Sequence, residues 1–292
     1  MKHQAQSFKF RSEIIGIISL IPIFLFHVYI VIIPVFNTFL NSFTNWNGLL
    51  RKEFIGFGNY LAMASDPSFW DALMNNVRWM AIFLTIPIGI GLVLGYLITN
   101  LPRGKIVFRT CYFLPYVISA AIAGKIFAAF YNPYFGINVL FESLNLAFMA
   151  HDWLSPSTVL YSVAFVDIWH WWGFLMVIFI GSLQQIDPML YESAEVEGAG
   201  GFQKFIYITV PCVRQTLVFI ILITMVWSIS TFEYVWVMTK GSPGSELLST
   251  LLYKNALLKY KAGYACAISV IQALLAFFIF SVFGVLRKRI ED

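Results

Sequence analysis

Four small residues, Gly198-Ala199-Gly200-Gly201, stand just before Lys204. Glycines ahead of a lysine are the ingredients of a loop that cradles phosphate with backbone N–H groups. The spacing decides against that chemistry. A Walker-type loop runs G-x-x-x-x-G-K-[ST], whereas Gly198 is followed five residues later by Gln203, and Lys204 is followed by Phe205. Other reactive types are equally sparse. Cys111, Cys212 and Cys266 are odd in number, far apart and free of any C-x-x-C or Cys/His pattern, so neither a disulfide framework nor a zinc site is indicated. No H-E-x-x-H, G-x-S-x-G or paired metal-ligand arrangement occurs. The residues describe a non-catalytic chain, with no metal site and no cofactor of its own.

Two polar stripes offer binding chemistry instead. Asp167, His170, Trp171 and Phe174 fall at i, i+3, i+4 and i+7, one face of a helix, and Thr224, Trp227, Ser228 and Thr231 repeat the spacing. Rings beside hydroxyls, an imidazole and a carboxylate suit a sugar, which presents C–H faces and hydroxyls. Hydrogen bonding between helices by small polar residues and a tryptophan belt at the membrane boundary account equally for Ser228 or Trp169, and both readings stay open. An anionic solute such as glycerol phosphate fits poorly beside Asp167, although Lys125 could answer it. Asp167 and Glu233 are the two carboxylates within the apolar runs, both near one end. That is meagre for the coupling-ion site of a secondary transporter.

The elements that carry these residues follow from composition. The 292 residues are 59% hydrophobic, 18% aromatic and 12% charged, where a soluble domain carries about 25% charged residues. Six apolar segments are long enough to cross a bilayer: residues 14–40, 76–100, 110–131, 158–183, 213–238 and 263–286. The first is too long for a signal-peptide core and is read as a retained span. The expected fold class is an all-α membrane protein with six transmembrane helices in a single domain, residues 14–286, between an N-terminal segment 1–13 and a tail 287–292. The outer loops 59–76 and 132–157 are expected to lie at the interface. Eleven lysines and arginines fall on the side of both termini and six on the other, which places both termini in the cytoplasm. The net charge of +4 is spread over loops, a mark of topology rather than of nucleic-acid binding.

The glycine-rich stretch then lies in a cytoplasmic loop at about 184–212. Asp187 suits an N-cap, Pro188 the first helical position and Gly198 the residue that ends the helix. A short helix over 189–197, with Glu192 placed to favour the positive dipole end, is expected to turn at Gly198 and resume over 202–208 before Pro211. At a pore mouth, such a helix–turn–helix is a lever.

The stretch "ESAEVEGAG" followed by "ITVP" resembles the EAA loop of ABC importer permeases, E-A-A-x-x-x-G then I-x-L-P. Glu192, Ala194, Gly198, Ile208 and Pro211 match, and Ser193 and Val210 replace the commoner Ala and Leu. "PRGKIVFRTCYFLPYVIS", "FEYVWVMTKGSP" and "GYACAISVI" are similar to blocks of the maltose-type sugar permeases, with Glu233 in place of the usual Asp and Lys240-Gly241-Ser242-Pro243 in place of x-Gly-Gly-Pro. The resemblance implies a type I importer permease fold, a peripheral first helix plus five core spans. It implies that Glu192, Ser193, Ala194, Gly198 and Ala199 meet a cytoplasmic ABC ATPase, present in two copies that hold ATP and Mg. It also implies a second, different permease subunit, an external sugar-binding protein and a bacterial or archaeal cytoplasmic membrane. The polar faces of the fourth and fifth spans, with Glu233, would line the sugar path.

Overall fold

A computed structural model of the chain describes residues 19–49 and 52–291, with side chains to residue 284. The segment 1–13, the start of the first span, Arg51 and the side chains of the basic tail lie outside the described residues. The described residues are helical apart from loops and one antiparallel bridge between Thr44 and Phe54. Five helices are long and apolar enough to cross a membrane: α1 (Ser19–Asn41), α3 (Pro67–Asn100), α7 (Val159–Leu183), the run Arg214–Thr239, and the final helix from Ala262. The bent pair α4 (Lys105–Val117) and α5 (Ala120–Phe130) passes the same test only when its two halves are taken together, and counts as a sixth if it is one broken span.

The chain divides into two compact units. In the first, residues 1–63 and 255–271, α1 buries none of its apolar window. The short α2 (Gly58–Ala64) is held by Asn59, whose amide donates to the carbonyls of Ser42 and Thr44, each at 2.8 Å.

The second unit, residues 64–254 and 272–292, is organised on α7. Its 25 residues are mostly apolar with no single apolar face, as suits a helix with neighbours on several sides. Its closest partner is α3, and the approach depends on Gly91. A Cβ there would stand 2.9 Å from Leu175 Cβ and 3.1 Å from the Met176 nitrogen. Ile88, Leu92, Leu175, Phe179, Val213 and Ile220 fill one end of this unit; Trp79, Phe83, Val163, Val166 and Val235 fill the other.

Three expectations change. The second span begins nine residues early, because Asp66 caps the helix (its carboxylate accepts from the Ser68 N–H at 2.9 Å) and Pro67 takes the first position. Residues 59–76, expected as interfacial loop, are therefore mostly helix. The third span, which Pro115 is expected to bend, bends so sharply that it is not one helix: α4 starts at Lys105, and the chain turns by 89° before α5. Ile118 and Ser119 have ψ of 135°, which breaks the ladder just after Pro115, whose missing N–H had already weakened it. The fifth span stops at Ser230 as α10 (Arg214–Ser230) and resumes as α11 (Glu233–Thr239). The intervening labels are α6 (Ile137–Ser143), α8 (Pro188–Val196) and α9 (Gly201–Lys204). Beyond α11 lie α12 (Leu248–Tyr253) and α13 (Ala262–Glu291).

Candidate functional site

The loop between α7 and α10 is built from its caps. The Asp187 carboxylate accepts from the Met189 N–H at 2.9 Å and Pro188 opens α8. At the other end Gly198 adopts φ +84°. The N–H of Gly198 reaches the Glu195 carbonyl at 3.0 Å, and that of Ala199 reaches the Ala194 carbonyl at 2.9 Å. These paired bonds form a Schellman stop, which favours glycine at the left-handed position. Glu192 is the fifth residue of α8, and no acidic residue occupies the first turn, so the expected dipole role for Glu192 is not met. The chain resumes as α9, followed by a π turn over Phe205–Thr209 rather than an unbroken α-helix.

No residue of α8 is buried. Met189, Glu192, Ser193 and Val196 share one exposed face at i, i+3, i+4 and i+7. Val196 is 89% exposed and Met189 71%. Beside this face Leu190, Ala194, Gly198, Gln203 and Tyr207 line a cavity of about 470 Å³. Ala199, half-buried at the corner, also lines it. On the inner side Lys204 Nζ lies 2.9 Å from Glu195 Oε2, and this ion pair holds the Glu195 carboxyl below its ordinary pKa. The Tyr191 phenol, raised in pKa by partial burial, hydrogen-bonds Thr209 Oγ1 at 2.9 Å.

The two polar stripes meet through their aromatic members. The rings of Trp171 on α7 and Trp227 on α10 stack at 5.1 Å and 9°. Phe83 of α3 packs on Trp227 at 5.2 Å, and Trp79 stacks beneath Phe83 at 5.2 Å. On the other flank Phe174 sits 4.9 Å from Trp171 and stacks on Tyr116 at 4.8 Å. His170 has a definite partner. Its Nε2–H donates to the Ile118 carbonyl at 3.0 Å, an acceptor freed by the break between α4 and α5.

The remaining polar residues are placed differently. Ser228 and Thr231 are buried and donate to carbonyls of their own chain, Thr224 at 2.7 Å and Trp227 at 3.2 Å. Thr224 is buried with an unpaired hydroxyl. Asp167 is 1% exposed, and neither carboxylate oxygen has a hydrogen-bond partner. Glu233 is exposed at the start of α11, and Lys125 is exposed on α5. Trp169 points elsewhere, into an apolar cavity of about 610 Å³ with Phe127, Tyr161 and Phe165. Tyr116, Phe83 and Trp79 were not among the expected residues. Tyr116 follows Pro115 directly, in the last turn of α4, where it meets Phe174.

Residues 88–292 match the family model described as binding-protein-dependent transport system inner membrane component. The probable ABC transporter permease protein YurN of Bacillus subtilis is 35% identical, over 91% of this chain and 93% of its own. The sulfoquinovosyl glycerol transport system permease protein SmoG of Agrobacterium fabrum is 30% identical, over 93% of this chain and 90% of its own. Among solved structures, a chain of a bacterial alginate ABC transporter in complex with an alginate pentasaccharide-bound periplasmic protein superposes with a TM-score of 0.87. It is 21% identical and covers 97% of this chain and 96% of its own. That likeness bears on the fold, and the fold is that of an ABC importer permease.

Proposed function

This chain belongs to the binding-protein-dependent transport system inner membrane components, and on that premise we propose that it forms one half of the translocation pathway for a sugar or oligosaccharide. It is a multi-pass, inner-membrane permease subunit of an ABC transporter. The relatives named for a glycosyl glycerol and for alginate support a carbohydrate cargo. The stacked Trp171–Trp227 pair, flanked by Phe174 and His170, offers ring surfaces to such a solute.

In this proposal the chain binds no cofactor. ATP and Mg are held by two copies of a cytoplasmic ATPase, a second permease supplies the other half of the pathway, and an external binding protein delivers the sugar. Both termini face the cytoplasm. The observation that carries the coupling role is the capped, glycine-stopped α8, which presents Met189, Glu192, Ser193 and Val196 outward while none of its residues is buried.

The purified chain alone is expected to hydrolyse no ATP. Glu192→Lys and Gly198→Asp should leave the protein inserted but uncouple it from the ATPase, the first by reversing a docking charge and the second by opposing the left-handed corner. Transport and ATPase assembly that both persist in these variants would remove the coupling role.

A further inference from the structure

A lever transmits force only when its corner is stiff, and the corner at Gly198–Gly201 contains three glycines. Without a brace, a push on α8 would bend these residues and leave α10 where it was. The structure supplies two side-chain links across the corner, both from one face of α8. Tyr191 and Glu195 are four residues apart, hence neighbours on that face. Tyr191 bonds Thr209 Oγ1 at 2.9 Å and Glu195 pairs with Lys204 at 2.9 Å.

The two links are joined. Thr209 Oγ1 donates to the Lys204 carbonyl at 3.4 Å, so the Tyr191 hydroxyl is the donor in its own bond to Thr209. The π turn makes this possible. In an α-helix, residues five apart point about 140° away from each other. The wider turn over Phe205–Thr209 brings Lys204 and Thr209 toward one side, facing α8. Thr209 is fully buried, and Tyr96 of α3 packs on Phe205 at 5.0 Å, so the far end of the brace is seated in the second unit's core.

We propose that Tyr191–Thr209 and Glu195–Lys204 form a two-point brace that locks the coupling helix to the base of the fifth span, so that displacement of α8 is passed to the pathway instead of being absorbed at the glycine corner. These four are positioning residues, distinct from the docking face of Glu192 and Val196. The proposal rests on the coupling role argued above.

The test uses the complete transporter, purified through a tag on this chain with its own partners. The native cysteines are replaced and Ser230→Cys, exposed at the far end of α10, serves as reporter. The rate of maleimide labelling is compared with and without ATP plus vanadate, alongside the rate of ATP hydrolysis. With the brace intact, trapping changes the labelling rate. In Glu195→Lys or Lys204→Glu that change should shrink by on the order of two- to fivefold while hydrolysis continues. The Glu195→Lys/Lys204→Glu double swap should restore it, and Tyr191→Phe should lower it more mildly. An undiminished response in both single variants overturns the brace. A double swap that fails to restore a lost response, or lost assembly, overturns it too. Glu192→Lys separates the two ideas. If it abolishes the response while the brace variants keep it, the brace alone falls; if it too changes nothing, the coupling role falls and the brace with it.

Discussion

Trp171 and Trp227 arrive from different spans and stack nearly parallel, while Asp167, one turn before Trp171, is sealed away with both oxygens unpaired. Burial of an unpaired carboxyl is costly. A residue kept only for packing would be improved by removing it, since replacing buried polar groups by apolar ones is often neutral or stabilising. Asp167→Ala therefore separates the two roles. Thermal stability in detergent should hold or rise, while uptake of the sugar carried by the binding protein should fall; unchanged uptake would leave Asp167 outside the pathway. Trp227→Ala removes one stacking partner and should raise the half-saturating solute concentration roughly two- to tenfold, in line with the ~0.5–1.5 kcal/mol that ring stacking adds beyond area. Normal affinity and selectivity in both variants would place the pathway elsewhere. Ser228 and Thr231 show why the sequence pattern alone left two readings open. Spacing put them on the Trp227 face, but a hydroxyl in a helix can bond the carbonyl four residues back, and both do.

At the scale of elements, α4 and α7 cross at Gly173, where an added Cβ would run into the backbone carbonyl of Tyr112. Backbone cannot swing aside as a side chain can, so Gly173→Ala should cost about 1–3 kcal/mol as overpacking does. The readout is a lowered melting temperature of the detergent-solubilised protein. Gly181→Ala, on the same helix with nothing within 4 Å of the added atom, is the control and should be near neutral or better. Equal effects at the two sites would mean the crossing is not as close as described. The helices were legible where local chemistry marked them. Asp187-Pro188 and Gly198 bounded α8 because capping is a property of a few adjacent residues. Asp66-Pro67 carries the same start signal, but a hydropathy run beginning at Asn76 hid it. A bend at Pro115 was legible from the proline itself, but its size was not, because residues 110–131 stay apolar throughout and composition does not report backbone angle. Its stability depends on a tertiary partner, His170, whose ring supplies the hydrogen bond that the interrupted ladder lost. The brace was illegible for the same reason. Glu195 and Lys204 are nine residues apart, and only a glycine corner followed by a π turn brings them within 2.9 Å.

At the scale of the whole molecule, the distribution of basic residues predicts an orientation, and the coupling assignment depends on it. A coupling loop meets a cytoplasmic ATPase only if residues 184–212 face inward. The same side must then hold the α3–α4 connection, with Arg103 and Lys105, because the bent pair α4–α5, followed by α7, returns the chain to it. The four lysines before the last span, Lys240, Lys254, Lys259 and Lys261, oppose the positive-inside bias locally. Lys254 pairs with Glu246 at 2.7 Å, but the bias counts lysines and arginines rather than net charge, so the opposition stands and has to be tested. The cysteines test the arrangement without engineering new probes. Cys111 lies two turns into α4 and Cys212 closes the segment after the π turn, and both are exposed on this chain. In intact spheroplasts a membrane-impermeant maleimide should leave single-cysteine variants at either position unlabelled. After permeabilisation, or in inside-out vesicles, Cys212 should label readily and Cys111, deeper in its helix, more slowly. Labelling of Cys212 from outside would invert the topology, put α8 beyond the reach of any cytoplasmic ATPase, and remove the coupling role together with the brace that depends on it.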